Sequence, residues 1–298
     1  MSYLLYYLLT TIKNTFNFLL NIFYYLRFYF KVLFNYFNKD FINNINKDGW
    51  TLTFNDEFDN NEIDFDKKWN KYFSENTDSS PSEKNFCFSL DCIDIQDNKL
   101  HLYTKKNDKY PNESNFPYKT GNLDSCPWQD KYFDQQYGYF EIRCKVPPGG
   151  GKFWPAFWLL GDTWPPEIDI IEFMDNRDAN TNHSKRVSMT HHFGTPGKKG
   201  MNTLFQPTQL SKKLGKFLGL SVNFDEHFHL FAVKWEYNYI KWYIDNVPVY
   251  KTIYNIPNNK MRVIVSNGSS MVTPPTSNEL PQDFIIDYIR VYMKNEYL

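Results

Sequence analysis

YGYFEIRCKVPPGGG, Tyr137 to Gly151, alternates strictly: Phe140, Ile142, Cys144 and Val146 fall on one face, Tyr139, Glu141, Arg143 and Lys145 on the other. A period of two is the signature of a half-buried β-strand, and the Pro-Pro-Gly run ends it at a turn. Moving outward, FHLFAVKWEYNYIKWYIDNVPVY (Phe228–Tyr250) carries the same alternation through two tight turns, at Tyr237-Asn238 and at Asp245-Asn246. FIIDYIRVY, from Phe284, closes the chain as another strand. From Trp50 onward the whole sequence has this texture of short alternating segments separated by Asn, Gly and Pro, which predicts an antiparallel sandwich or barrel. LSKKLGKFLGL, from Leu210, fits at most a short surface helix or loop, and no internal repeat interrupts the pattern.

The first residues are different. MSYLLYYLLTTIKNTFNFLLNIFYYLRFYFKVLFNYF contains only Lys13, Arg27 and Lys31 as charges, yet no uncharged run reaches the ~18 residues of a clean spanning helix. Residues 1–37 are therefore expected to form an apolar helical segment acting as a signal anchor or a membrane-surface helix, against a cleaved signal peptide or an ordinary packing helix. Residues 38–47 follow as a polar linker and residues 48–298 as the globular domain. A membrane-associated or secreted protein is expected. In the 298-residue chain a net charge of −1 without a basic block argues against nucleic acid as a partner. The 19% aromatic content accompanies abundant Asn, Ile and Lys, so composition alone says little about ligands. Cys87, Cys92, Cys126 and Cys144 lack metal-ligand spacing and allow three pairings if oxidised. The sequons at Asn112, Asn182 and Asn267 are compatible with a secretory route.

The chemistry concentrates in EIDIIE, where Glu167, Asp169 and Glu172 lie within six residues. On a regular strand Glu167 and Asp169 share a face and Glu172 points to the other. A β-bulge at Ile170-Ile171 restores all three to one face. Three crowded acids repel and persist where their protons are used. Retaining glycoside hydrolysis is such a use: it needs two carboxyl groups about 5–5.5 Å apart, one as nucleophile and one as acid then base. Isoleucines at 168, 170 and 171 argue against a flexible calcium loop.

In these residues the chain resembles glycoside hydrolase family 16, the laminarinase-like β-jelly-roll enzymes. The resemblance runs in order through WTLTFNDEFD (Trp50–Asp59), YGYFEIRCKVPPGGGKFWPAFWLLGD, EIDIIE, THHFG (Thr190–Gly194), FHLFAVKWEYNYIKWYIDN and FIIDYIRVY. It implies a sandwich of two antiparallel sheets with a concave substrate cleft, in which Glu167 is the nucleophile, Asp169 its helper and Glu172 the acid/base. It also implies His192 as an assistant, through the T-x-H pattern of Thr190 and His192, with His191 facing away. Trp154, Trp158 and Trp164 are implied sugar-stacking residues, with core packing as the alternative for Trp154 and Trp158. Asn122 stands where the family often has Arg, and Ser266 with Asn267 where many relatives have Asn, so Asn122 and Asn267 are implied substrate contacts with altered sugar preference. A structural calcium is implied at Asp287, and no cofactor is needed for the chemistry. The implied substrate is a β-linked polysaccharide, β-1,3-glucan foremost, taken by a monomeric catalytic domain. Transglycosylation, β-galactan hydrolysis and non-catalytic glucan binding are the alternatives.

Overall fold

The computed structural model describes residues 47–70, 85–109, 116–125, 133–149, 151–173, 187–195, 198–203, 224–270 and 273–298, and nine isolated positions between 15 and 30. The strands begin with β1 (Trp50–Asp56), β2 (Phe86–Phe88), β3 (Ile93–Gln96), β4 (Lys99–Lys106), β5 (Tyr118–Thr120) and β6 (Asn122–Asp124). They continue with β7 (Asp134–Gln135), β8 (Gly138–Lys145), β9 (Ala156–Leu160), β10 (Glu167–Glu172), β11 (Ser188–Thr195) and β12 (Lys198–Thr203). The last are β13 (His229–Glu236), β14 (Tyr239–Ile244), β15 (Val247–Thr252), β16 (Met261–Ser266) and β17 (Gln282–Lys294).

These strands make a jelly-roll sandwich. The ten-stranded outer sheet runs β15-β14-β13-β8-β17-β4-β5-β2, with β1 on β17 and β3 on β4. The seven-stranded inner sheet runs β12-β11-β10-β9-β16-β6, with β7 on β16. Pairing is antiparallel apart from β2 with β5. The hairpin residues Asp245 and Asn246 both have positive φ (48° and 63°), the conformation a two-residue turn demands and that Asp and Asn tolerate.

Between the sheets lies the core. Phe140, Ile142, Cys144 and Val146 of the opening stretch are buried there with Phe231, Val233, Trp235 and Trp242 from the outer sheet and Leu159, Ile168 and Val263 from the inner one. The other face of β8 departs from simple alternation, because Tyr139 and Glu141 are buried as well. Tyr139 sits among the rings of Trp50, Tyr243 and Tyr292, and Lys47 donates to Glu141 at 2.6 Å. Lys47, placed by its composition in the linker, is thus docked on the domain.

Of the N-terminal segment only the nine isolated positions are described, each with helical backbone. Phe16, Leu19, Ile22, Phe23, Leu26 and Phe30 among them are exposed. No helix among the described residues is long and apolar enough to cross a membrane. Cys87, Cys92 and Cys144 are free thiols, the last two buried. Cys126, Asn112, Asn182 and the stretch from Leu210 lie outside the described residues.

Candidate active site

The inner sheet sorts its residues into core-facing and cleft-facing rows. Cross-strand partners share a face in an antiparallel ladder. Ile168 with Leu159 and Val263 form a core row, whereas the flanking rows face outward. One outward row runs His192–Glu167–Leu160–Arg262. The next runs Thr190–Asp169–Trp158–Ile264–Asp124. The third runs Ser188–Glu172–Ala156–Ser266–Asn122.

Glu172 belongs to this face only because the ladder slips. Against β9, Asp169 pairs with Trp158 and Ile171 with Phe157, leaving Ile170 unopposed. Against β11 the same slip falls between Asp169 and Glu172. Ile168, Ile170 and Ile171 all go into the core, so the extra residue is buried apolar surface rather than a solvated kink. Trp242, reaching across the core from β14, donates its indole N–H to the Asp169 carbonyl at 2.9 Å. A bulge disrupts ladder hydrogen bonds, and this bond satisfies a buried acceptor beside it.

Glu167 and Glu172 keep part of their surface open while Asp169 is buried. His192 Nε2 stands 3.2 Å from Glu167 Oε1 and 3.2 Å from Asp169 Oδ2. One nitrogen cannot align with both, and the approach to Asp169 Oδ2 is a close contact rather than an aligned hydrogen bond. Trp154 donates to Glu172 Oε1 at 2.9 Å, and the nearby Trp164 indole favours the Glu167 anion. Burial raises all three carboxyls. Glu167 goes to about 8, with Asp169 adding to the rise and His192 opposing it. Asp169 is pushed well up by burial and then by Glu172. Glu172 is raised by burial, partly offset by the Trp154 hydrogen bond. The physical cause is common: an ionised carboxylate loses water here faster than it gains donors.

The other expected site residues separate into two groups. Trp158 lies half-buried opposite Asp169, its indole 3.4 Å from Ser266 Oγ. Trp164 is 40% exposed, with its ring 5.7 Å from that of His192, so both present aromatic surface along the carboxylate rows. Trp154 packs edge-on against Phe86 and spends its N–H on Glu172. Asn122 ends the row of Glu172 and is buried. Asn267, by contrast, is not a cleft residue: its amide donates to Leu102 O at 3.0 Å and its Oδ1 accepts from Gly268 N at 3.0 Å. One position past the end of β16, it ties the sheet end together. At 1% exposure it is also closed to glycosylation. His191 faces the core, opposite Ile168, as the parity of the strand requires.

Asp287 takes Arg143 as its partner, and among the described residues no set of three metal-capable groups gathers around it. A carboxylate neutralised by a guanidinium does not fit a calcium seat. The one such set that is described, Glu167, Asp169 and His192, has ligand atoms within 4.8 Å of one another. These are the titratable groups that meet where β10 pairs with β11. The sequence did not single out Arg262 and Asp124, a buried ion pair in the same rows (Nε to Oδ2, 3.1 Å). Its only signal was an arginine inside an otherwise apolar strand, MRVIVS.

Known proteins resemble this chain in sequence and in fold. The chain is 26% identical over 279 residues to glucan endo-1,3-beta-glucosidase A1 of Niallia circulans, covering 82% of this chain and 38% of that protein. It is 32% identical over 167 residues to endo-1,3-1,4-beta-glycanase EglC of Rhizobium meliloti (strain 1021), 54% of this chain and 31% of that one. The chain thus spans about a third of the length of these relatives. A laminarinase from Flavobacterium sp. UMI-01 superposes with a TM-score of 0.60 at 25% identity, over 82% of this chain and 100% of that one. The sequence profile of the glycosyl hydrolases family 16 matches residues 82–288, a span that holds the bulged strand, both tryptophan elements and β11, and the chain belongs to that family.

Proposed function

We propose that the protein is a retaining endo-hydrolase of β-glucan, with β-1,3 linkages as the preferred target. The observation that carries this is the slip in β10, which sets two carboxyl-bearing ends of one strand on the cleft face with a buried third between them. The relatives named for endo-1,3 and endo-1,3-1,4 activity support the glucan class. In the first half-reaction a Glu167 oxygen forms a bond to the anomeric carbon while the glycosidic C–O bond breaks, and the Glu172 proton goes to the departing oxygen. In the second, a water oxygen attacks the anomeric carbon, its proton returns to Glu172, and the Glu167–sugar bond breaks. Asp169 shares a proton with Glu167, which holds the nucleophile's charge in check before attack and helps the Glu167 carboxylate leave when the ester breaks. His192 supplies positive charge when protonated, and Trp158 and Trp164 offer flat apolar faces to pyranose C–H groups.

Glu167→Gln is expected to abolish release of reducing ends from laminarin with the fold intact; turnover at the wild-type rate would refute the nucleophile. Glu172→Ala should regain part of its activity on an aryl glycoside when azide is added, because that leaving group needs little protonation.

We further propose that the N-terminal segment associates with a membrane surface. Phe16, Leu19, Ile22, Phe23, Leu26 and Phe30 are exposed apolar side chains among the described residues, and every charged residue before Asp40 is Lys or Arg. Co-flotation with anionic phosphatidylglycerol vesicles, lost in a Leu19→Glu/Phe23→Glu variant, is the expected result. Equal recovery of both proteins in the lipid fraction would overturn it.

A further inference from the structure

Arg262 is an arginine in the floor of a sheet. It lies on β16, in the row of Glu167 with Leu160 between them, and is 7% exposed. Its Nε donates to Asp124 Oδ2 at 3.1 Å and its Nη1 to the Gly161 carbonyl at 3.2 Å. Burying such a pair is costly, and apolar residues of similar volume commonly stabilise as well or better. What the pair does supply is a fixed two-point fork, which Arg provides and Lys does not.

The fork grips the start of a loop that ends at the nucleophile. Gly161 follows β9 directly, its N–H donates to Pro166 O at 3.1 Å, and this closes the loop just before Glu167. A Cβ at Gly161 would come within 3.1 Å of the Pro166 ring, so the two loop ends are pressed together. At the apex is Trp164, whose ring lies 5.7 Å from that of His192, itself 3.2 Å from Glu167 Oε1, and whose indole favours the Glu167 anion. An unbroken path therefore runs from Asp124 through Arg262 and the Gly161 carbonyl to Trp164 and the carboxylate.

We propose that Arg262, braced by Asp124, is a positioning residue for the nucleophile: it clamps Gly161 so that Trp164 stays packed beside His192 and Glu167. This rests on the glycosidase reading of Glu167. The groups facing Glu167 are Asp169 and Glu172 from its own strand, His192 from β11 and Trp164 from the loop; β9 presents Leu160, and Arg262 with Asp124 lie beyond it. Loosening the clamp withdraws a donor from the Glu167 anion, which favours the protonated form.

In Arg262→Lys, the ammonium reaches Asp124 or Gly161 but not both. The acid limb of the kcat/KM profile on laminarin is expected to move up by about half a pH unit, with about threefold lower kcat/KM at pH 6. Trp164→Phe should move the limb equally, and Arg262→Lys/Trp164→Phe no further than Trp164→Phe alone. An unmoved limb in Arg262→Lys, or shifts that add in the double variant, overturns the proposal. Should the lysine variant fail to fold, Asp124→Asn replaces it, with the same direction expected and an unmoved limb again decisive. The Trp164 indole N–H resonance, identified by its absence from Trp164→Phe, reads the clamp without substrate. It should titrate in the wild-type chain and lose that titration in Arg262→Lys; an unchanged titration curve overturns the clamp even if laminarin is not the substrate. Absence of laminarin cleavage by the wild-type chain would count instead against the hydrolase reading.

Discussion

Glu167, Asp169, Glu172 and His192 cannot be assigned charges one at a time. Each carboxyl is raised chiefly by burial, and each then feels its neighbours. Groups this close lose protons in steps that belong to the set. The indoles break the symmetry: Trp164 favours the anion of Glu167, while Trp154 moderates the rise of Glu172 without removing it. Asp169, buried and lacking an aligned partner for Oδ2, is the natural holder of a shared proton. In the proposed mechanism a nucleophile and an acid coexist on one strand because the proton between them has a third place to sit. The identities of these residues were legible in six letters of sequence. Their donors were not, since Trp154 and Trp164 read as stacking surfaces and nothing local says where an indole N–H points.

At the scale of the element, β10 works because one residue too many has been accommodated inside the core. Parity alone exposed this: an odd step from Asp169 to Glu172 is incompatible with a regular strand that uses both. The same parity sent His192 to the cleft and His191 inward. Legibility ended where the strand did. Asn267 sits past the last ladder pair of β16, so alternation no longer governs it, and its amide went to Leu102. Likewise Arg262 and Asp124 meet because β16 pairs with β6 in one register, a long-range fact that local pattern does not contain. The bulge itself has a measurable support. Trp242→Phe keeps the ring in the core but strands the Asp169 carbonyl, and a buried acceptor left alone costs about 1–3 kcal/mol. Loss of that order in denaturant unfolding, with kcat falling more than KM rises, is expected. A variant as stable and active as wild type would show that the bulge holds without the indole.

For the whole molecule, the cleft and the core pull stability in opposite directions with pH. Glu167 has a folded value of about 8, above the ~4.3 of an unfolded chain. The native state therefore binds more protons between these values, and this carboxyl gains stability as pH falls from about 8 towards about 4. His191 does the reverse. It is fully buried, neither ring nitrogen has a hydrogen-bond partner among the described residues, and burial followed by the charge of His192 lowers it to about 4. An unfolded imidazole takes a proton near ~6.5, so the stability that depends on a neutral His191 is complete above ~6.5 and drains away as pH falls to about 4. Wild-type melting temperature should accordingly rise as pH falls from about 8 to about 6.5, where only the carboxyl acts, and level off between about 6.5 and 5, where the two slopes oppose each other. Single replacements separate them. Glu167→Gln, which cannot ionise, should raise Tm at pH 8 and leave it near the wild-type value at pH 4.5. His191→Leu, similar in bulk and without a proton to gain, should raise Tm at pH 5 by more than at pH 8. Thermal unfolding of both variants across this range decides the matter. If Glu167→Gln is no more stable than wild type at pH 8, ionising the Glu167 carboxyl carries no desolvation cost in the cleft, and the charge arrangement derived for β10 is wrong.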